Sequence, residues 1–264
     1  MGILLPTLVL FGLALVFAIA LAYLGKKLAV SRDERIDLVL AKLSGANCGG
    51  CGYAGCDGFA CALVEGTAKL SDCNATSKEN KEAIADILGV DNVGEATRVV
   101  VCCRGGNDAK DKYSYMGYGD CRSMELLAGG RKQCQWGCLG MGSCVDACVD
   151  HAVEVNMKGY SEINQEKCIT CGRCISVCPK KIIKRIPASA KFYVACSNHQ
   201  KGKEVKELCA KGCIACGLCA KVCEAGAITI VDNLAVIDYS KCTNCGKCAA
   251  KCPQHCIMSA TDKQ

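Results

Sequence analysis

The chain has 264 residues and 27 cysteines, so about one residue in ten is a thiol, a density that demands a cysteine-based explanation. Four Phe, eight Tyr and one Trp are too few for a large aromatic core. The formal net charge of +6 counts every cysteine as neutral. A four-iron cluster with four thiolates contributes roughly −2, so five such clusters would bring the chain to about −4. Because no arginine-rich block is present either, the charge pattern argues against a nucleic-acid partner.

The N-terminus is strongly apolar. Residues 3–24 carry no charged side chain, which predicts a helix that crosses the membrane. A signal peptide begins with basic residues and a buried core helix has a polar face, and this segment has neither feature. Lys26, Lys27, Arg32 and Arg35 follow the segment, whereas no Lys or Arg precedes it. By the positive-inside rule, we expect a single-pass protein of the cell membrane with the bulk of the chain in the cytoplasm, where cysteines bind metal rather than form disulfides.

A glycine-rich motif, NCGGCGYAGC, follows the apolar segment. With one later thiol it gives the spacing C-x2-C-x4-C-x16-C, formed by Cys48, Cys51, Cys56 and Cys73. Glycines allow the backbone to approach an anionic cluster closely and to donate N–H groups to its sulfurs. We therefore expect these four thiols to hold a 4Fe-4S cluster, whereas Cys61, on a helix predicted over residues 57–68, is expected to pack.

The segment after this motif predicts one helix and one strand. Thr76 and Glu79 have the spacing of a capping box, and the apolar stripe that follows ends at Gly89. Residues 98–103, RVVVCC, are typical of a strand. The three histidines are scattered and no glycine-rich phosphate loop opens a helix, so we expect neither a nucleotide site nor a substrate-converting active site on this chain.

The strongest signal is the run C-x2-C-x2-C-x3-C-P, which occurs at residues 168–179 and 242–253, with a third copy at 213–223 that lacks the proline. The fourth cysteine of each run reaches the neighbouring cluster, so runs work in pairs. Pairing the last two runs predicts one site at Cys213, Cys216, Cys219 and Cys252 and another at Cys242, Cys245, Cys248 and Cys223. Structural zinc sites usually have a longer loop between cysteine pairs, which disfavours zinc.

The run that should pair with residues 168–178 lies upstream and is incomplete. An ungapped alignment of residues 137–148 with residues 212–223 superimposes three cysteines and places Met141 where the other copy has a cysteine. The alignment extends to Cys121 and Cys134, which fall on Cys196 and Cys209, so the segment is a duplication. It predicts one site at Cys168, Cys171, Cys174 and Cys148 and an incomplete one at Cys138, Cys144 and Cys178.

The incomplete site needs a fourth thiolate from outside the run, because a thioether is a poor iron ligand beside thiolates. Cys134 is the first choice, since it precedes Cys138 by one predicted helical turn, and Cys121 and Cys103 are the next choices. A three-iron cluster without a fourth ligand is the alternative, and Cys134 would then only pack.

The order of these parts resembles the B subunit of the Rnf-type ion-translocating electron transport complex, a ferredoxin:NAD+ oxidoreductase. The resemblance rests on the apolar segment, NCGGCGYAGC with Cys73, and the C-x2-C-x2-C-x3-C-P runs. It implies that electrons from reduced ferredoxin enter through this chain and pass towards membrane subunits that couple ferredoxin oxidation and NAD+ reduction to Na+ or H+ export. Corrinoid iron-sulfur proteins have a similar glycine-rich domain, so an iron-sulfur subunit that serves a corrinoid or other organometallic cofactor is the alternative. That alternative requires a further cofactor-binding domain on the chain.

We therefore expect an α+β protein with a transmembrane anchor at residues 1–25 and a glycine-rich 4Fe-4S domain at 26–95. Two tandem, two-cluster ferredoxin-like modules are expected at residues 96–190 and 191–264. The chain should hold about five 4Fe-4S clusters, one of them a three-iron cluster if the Met141 site lacks a ligand. A further cluster at the extra cysteines remains open. Expected partners are ferredoxin, the other subunits of the complex and the membrane.

Overall fold

The computed structural model describes residues 4–27, 32–90 and 94–260. Residues 1–3 of the expected anchor and 261–264 of the expected second module lie outside the described residues, as do residues 28–31 and 91–93 of the glycine-rich domain.

The first helix, α1 (Leu4–Lys27), contains the apolar stretch Thr7–Gly25, which is 19 residues long and not buried against the rest of the protein. Within the described residues, this helix alone is long and apolar enough to cross a membrane.

The glycine-rich domain is a small bundle of helices. Helices α2 (Glu34–Lys42) and α3 (Cys56–Val64) pack against each other, and α4 (Lys78–Leu88) packs on α2. The side chains of Val39, Phe59 and Ile84, one from each helix, are almost completely buried where the helices meet. Apolar burial at this common contact holds α3, which carries part of the cysteine motif, against its neighbours.

Two local expectations for this domain change in detail. Helix α4 is capped by the Ser77 side chain, which accepts a hydrogen bond from the backbone N–H of Asn80, so the cap lies one residue after Thr76. Gly89 ends α4 in the left-handed conformation, as the sequence predicts. Helix α3 ends at Val64 rather than at residue 68, because the backbone N–H groups of Thr67 and Ala68 both donate to the Ala62 carbonyl in a turn.

The remainder of the chain consists of two repeats with the same order of elements. The first repeat contains β1 (Thr97–Val101), α5 (Cys121–Leu126), α6 (Ser143–Asp146), β2 (Val153–Val155), β3 (Ser161–Ile163), α7 (Arg173–Val177) and β4 (Ile183–Pro187). Strands β1 and β4 pair antiparallel, as do β2 and β3. The strand predicted at residues 98–103 is present as β1, which begins at Thr97 and ends two residues earlier than predicted, at Val101. Val99 faces Arg185 across the pair.

The second repeat contains β5 (Phe192–Val194), α8 (Gly202–Leu208), α9 (Leu218–Lys221), β6 (Ile228–Val231), β7 (Leu234–Ile237), α10 (Lys247–Lys251) and β8 (Ile257–Ser259). Strand β5 pairs with β8 and β6 pairs with β7. In both repeats the first strand therefore pairs with the last. Helices α6 and α7 pack against each other in the first repeat, as α9 and α10 do in the second. Cysteines and aliphatic side chains together fill both cores.

Candidate iron-sulfur centres

Four thiols of the glycine-rich domain surround a cavity of about 330 Å³, which we call site 1: Cys48, Cys51, Cys56 and Cys73. Cys56 begins α3, and its backbone N–H donates to the Asn47 side chain over 2.8 Å. Cys73 follows a short 3-10 turn and lies 3.2 Å from the Thr76 hydroxyl. The structure thus brings the four predicted residues together, and Cys61 packs against the helical core without lining this cavity.

Site 1 lies directly against the first repeat. Cys171 also lines the site 1 cavity. A Cβ atom added to Gly50 would overlap the backbone carbonyl of Cys171, so only glycine fits at this contact. Burial raises the pKa of Cys48, and the nearby Cys171 thiol adds to the rise.

Site 2 consists of the first three thiols of the 168–178 run and one thiol from the upstream run: Cys168, Cys171, Cys174 and Cys148. Burial raises the pKa of Cys174 to about 12, and the neighbouring thiols of the same set contribute to this shift. Cys148 is held in place by the backbone N–H of Ala152, which donates to its sulfur over 3.2 Å. The predicted grouping is therefore present in the structure.

Site 3 is the site that the sequence left with three thiols, and in the structure a fourth thiol lies beside them. A cavity of about 360 Å³ is lined by Cys121, Cys138, Cys144 and Cys178, whereas Met141 does not line it. Cys121 is the first residue of α5, and its backbone N–H donates to the Ser143 hydroxyl over 2.8 Å at the start of α6. This hydrogen bond fixes the beginning of one helix against the other and brings Cys121 to the cavity.

The first choice for the missing ligand, Cys134, is therefore corrected to Cys121. The expectation assumed a helical turn between Cys134 and Cys138, but residues 133–138 form no helix. Instead, the backbone N–H of Gly137 donates to the Cys134 carbonyl in a tight turn, and the Cys134 sulfur accepts a hydrogen bond from Asn198 over 3.3 Å. The two thiols consequently serve different cavities.

The alignment of the two repeats also needs correction at one cysteine. Cys103 and Cys196 each lie two residues beyond the first strand of their repeat. Each sulfur accepts a backbone hydrogen bond over 3.5 Å from two residues further on, and another over 3.3 Å from Cys138 or Cys213. Cys103, rather than Cys121, is therefore the structural counterpart of Cys196. Sequence spacing missed this match because the loop before α5 is longer than its equivalent.

Site 4 surrounds a cavity of about 330 Å³ and consists of the predicted thiols Cys213, Cys216, Cys219 and Cys252. A fifth thiol, Cys256, also lines this cavity, and its sulfur lies 3.5 Å from that of Cys252. Hydrogen bonds from Cys256 lower the pKa of both Cys213 and Cys252. Spacing alone gave no indication of this donor, because Cys256 lies outside the run.

Site 5 is the set predicted at Cys223, Cys242, Cys245 and Cys248. The thiols of Cys242 and Cys245 act on the pKa of Cys248, which burial raises. Cys223 packs on the same core and accepts a hydrogen bond from the backbone N–H of Ala227 over 3.3 Å, the equivalent of the bond to Cys148. Cys245 is exposed, as is Cys216 of site 4, so the second repeat presents thiols of both sites to solvent.

Three family models match the chain at these centres. An Fe-S cluster model matches residues 43–75, a 4Fe-4S binding domain model residues 161–184, and a 4Fe-4S dicluster domain model residues 212–258. Similar proteins extend over the whole chain. The B subunit of the Na+-translocating ferredoxin:NAD+ oxidoreductase complex of Acetobacterium woodii is 41% identical over 97% of this chain and 78% of its own length. This chain belongs to the B subunits of Rnf-type ion-translocating oxidoreductase complexes.

Two further relatives agree with this family. The B subunit of the ion-translocating oxidoreductase complex of Methanosarcina acetivorans is 40% identical over 94% of this chain and 95% of its own length. The B subunit of the proton-translocating ferredoxin:NAD+ oxidoreductase complex of Clostridium ljungdahlii is 36% identical over 96% of this chain and 92% of its own length. The family expected from the sequence is confirmed.

The thiols of sites 1, 3 and 4 fit iron-sulfur clusters, because four thiols surround one cavity at each of these sites. In the described part of the chain, no three His, Cys, Asp or Glu side chains converge closely enough to bind one ion. Burial also raises the pKa of Cys144 and of Cys219 to about 11, so a thiolate there requires a positively charged partner.

Because the Cys256 thiol lies beside a ligand sulfur of site 4, we expect its replacement to change the reduction potential of that site. A hydrogen bond to a ligand sulfur stabilises the more negative, reduced cluster, so Cys256→Ala should lower one midpoint potential. A bond of about 1 kcal/mol corresponds to about 40 mV for one electron. Redox titration followed by electron paramagnetic resonance measures the shift. Cys256→Ser keeps a donor and should stay near the wild-type value, whereas loss of iron in Cys256→Ala would mean that Cys256 is itself a ligand.

Proposed function

We propose that this chain is a single-pass, membrane-anchored electron-transfer subunit that accepts electrons from reduced ferredoxin and passes them to membrane subunits of its complex. Sites 1–5 then hold about five 4Fe-4S clusters, and the two repeats act as tandem two-cluster ferredoxin-like modules at about residues 96–190 and 191–264. The bulk of the chain lies in the cytoplasm. The chain's own contribution is to hold the clusters in sequence rather than to convert a substrate.

The adjacency of the sites carries this proposal. Cys171 of site 2 lines the site 1 cavity. Cys144 of site 3 lies in the single turn of α6 and Cys148 of site 2 lies two residues beyond its end, whereas Cys248 of site 5 lies in α10 and Cys252 of site 4 directly follows it. One helical turn rises about 5.4 Å, so the ligands of sites 2 and 3, and likewise those of sites 4 and 5, are separated by about one turn of backbone. The rate of electron tunnelling falls steeply with distance, so ligands this close together favour transfer between neighbouring sites.

The two ends of this series differ in their surroundings. At the far end, Cys216 and Cys245 are exposed, which suits electron entry from a soluble protein donor such as ferredoxin. At the other end, α1 ends at Lys27 and α2 begins at Glu34, so at most seven peptide steps, about 25 Å when extended, separate the apolar helix from the site 1 domain. Site 1 is therefore tethered near the membrane, which favours it as the exit.

An iron-sulfur cluster supplies reversible one-electron chemistry when it is bound. The polypeptide supplies the rest: thiolates in fixed positions, apolar side chains that exclude water, and backbone N–H groups that donate to sulfur. Ala152 and Ala227 provide such N–H groups to Cys148 and Cys223. Hydrogen bonds of this kind set how readily a site accepts an electron.

Replacing a site 1 ligand tests the direction of transfer. Cys51→Ala should remove one cluster signal and about four irons, while the repeats keep theirs. The variant should still be reduced by ferredoxin, because entry is at the other end, but NAD+ reduction by the assembled complex should fall at least about tenfold. Iron content, low-temperature spectra and activity of membranes that carry the variant measure these effects.

The matched control is Cys61→Ala, because Cys61 lies on α3, the helix that begins at the site 1 thiol Cys56, but does not line the site 1 cavity. It should keep both the iron and the activity. If Cys51→Ala retains every cluster signal, the ligand assignment fails. If it loses the cluster and full NAD+ reduction persists, site 1 is not the exit.

A further inference from the structure

Four thiols that sites 1–5 do not use surround another cavity, of about 340 Å³, between the two repeats. We call it the inter-module cavity, and its thiols are Cys103, Cys134, Cys196 and Cys209. Two of them come from each repeat. All four are nine-tenths or more buried. None lies within the residues that the three family models match.

Contacts between the repeats hold this cavity together. Ala109 and Cys209 form an isolated antiparallel bridge, and the backbone N–H of Lys110 donates to the Leu208 carbonyl over 2.9 Å. The buried Lys132 ammonium donates to the carbonyls of Gly106 and Ala109 over 2.7 and 3.0 Å. The loop after Cys103 is thereby fixed against the end of α8, where Cys209 lies.

The hydrogen bonds at these sulfurs are those expected of thiolates. Cys103 and Cys196 each accept two backbone N–H donors, and Cys134 accepts one from the Asn198 side chain. Backbone N–H groups of Trp136 and of Lys211 and Gly212 also act on Cys134 and Cys209. A buried protonated thiol that only packs would need no such ring of donors, whereas metal-bound thiolates require them.

The lining and charge of the cavity suit an anionic cluster. Like the cavities of sites 1, 3 and 4, it is surrounded by at least four thiols. Arg104 and Lys211 line it, and their positive charges oppose the roughly −2 charge of a cubane with four thiolates. A Cβ atom added to Gly105 would press on Ala109 and lie 3.3 Å from the Cys209 sulfur, so glycine keeps the wall open.

We propose that Cys103, Cys134, Cys196 and Cys209 hold an additional 4Fe-4S cluster that joins the two repeats. Two cysteines of the predicted runs lie next to this cluster position and donate their backbone N–H groups to its thiols. The backbone N–H of Cys138, a site 3 thiol, donates to Cys103, and that of Cys213, a site 4 thiol, donates to Cys196. The cavity therefore lies between site 3, in the first repeat, and site 4, in the second repeat. This role as a bridge rests on the proposed function, whereas the binding of iron does not.

Iron and acid-labile sulfide counts on the anaerobically prepared full-length chain test the proposal. Six cubanes require about 24 irons and 24 sulfides. Cys103→Ala should lose about four of each together with one cluster signal. The matched control is Cys102→Ala, because the adjacent Cys102 is equally buried but packs with Val100 and Tyr193 outside the cavity. Cys102→Ala should keep the wild-type counts.

Cys209→Ser provides a second variant that alters only one atom, in case Cys103→Ala does not fold. It should change or remove the same single signal. About 20 irons in the wild type, with both variants unchanged from it, would overturn the proposal, as would stoichiometric zinc that Cys209→Ser releases. A chain that binds no iron at all would contradict the proposed function itself, and this result differs from the loss of the additional cluster alone.

The bridging role has its own readout. One electron moves from one site to the next, so the donor site is oxidised and the acceptor site is reduced without any proton or bond change. In Cys209→Ser, freeze-quenched samples mixed with reduced ferredoxin should show reduced sites 4 and 5 at wild-type rate, whereas reduction of sites 1–3 slows at least about tenfold. Equal slowing of all sites, or of none, would exclude the bridge.

Discussion

Deleting residues 1–25 should abolish ferredoxin-dependent NAD+ reduction by the complex while leaving a soluble, brown, iron-loaded protein. The apolar helix has no contact that buries it within the rest of the chain, so its removal leaves the cores of the glycine-rich domain and the repeats intact. Residues 3–24 contain no charged side chain, which argues for a tether rather than an ion path. Iron content, reduction by ferredoxin and activity of reconstituted membranes are the three measurements.

A helix of similar length from an unrelated single-pass protein is the control for this deletion. If the native segment only tethers, the replacement should restore a substantial part of the coupled activity. Full coupled activity of the truncated chain with depleted membranes would contradict the tethering role. Loss of iron on truncation would mean that the segment is needed for folding.

Cys121→Ala should convert the site 3 cubane into a three-iron form with its own resonance on oxidation. The thiol of Cys121 lines the site 3 cavity with Cys138, Cys144 and Cys178, and no thioether takes its place there. Loss of one ligand frees one iron corner, which is the iron most readily lost. Electron paramagnetic resonance of the oxidised full-length chain, with iron counts, measures the change.

Met141→Cys tests the same assignment from the other side. The alignment with the second repeat places a cysteine at this position, so Met141→Cys should restore a cubane when combined with Cys121→Ala. Cys134→Ala is the contrasting variant, because its thiol contacts Asn198 at the inter-module cavity and should leave site 3 unchanged. A three-iron signal at site 3 in Cys134→Ala, with none in Cys121→Ala, would reverse the assignment.

Short-range spacing was sufficient to predict which thiols of the glycine-rich motif and of the runs lie near one another. Within a run, three cysteines sit on one loop and the fourth is a helical turn away, so local backbone geometry decides where they lie. Sites 1, 2, 4 and 5 depend on such local spacing and on the exchange of one cysteine between paired runs. The structure places the four thiols of site 1 and the four thiols of site 4 around one cavity each. The strand at β1 and the end of α4 at Gly89 are likewise local features.

Long-range placement was not predictable from spacing. Cys121 reaches site 3 because Ser143 holds the start of α5, and nothing in the sequence near Cys121 specifies that contact. The spacing places Cys134 at the wrong cavity because the residues after it turn instead of forming a helix. Cys103 and Cys196 are comparable only through the strands before them, which pair in the same way.

Rapid mixing of reduced ferredoxin with the iron-loaded full-length chain tests the central claim most directly. Absorbance and freeze-quenched resonance spectra follow the oxidation of ferredoxin and the appearance of reduced clusters in the chain. We expect one electron to appear in the chain for each electron that ferredoxin loses, first at sites 4 and 5, near the exposed Cys216 and Cys245, and then towards site 1. Ferredoxin that stays reduced in the presence of a chain with its full iron content would contradict the account.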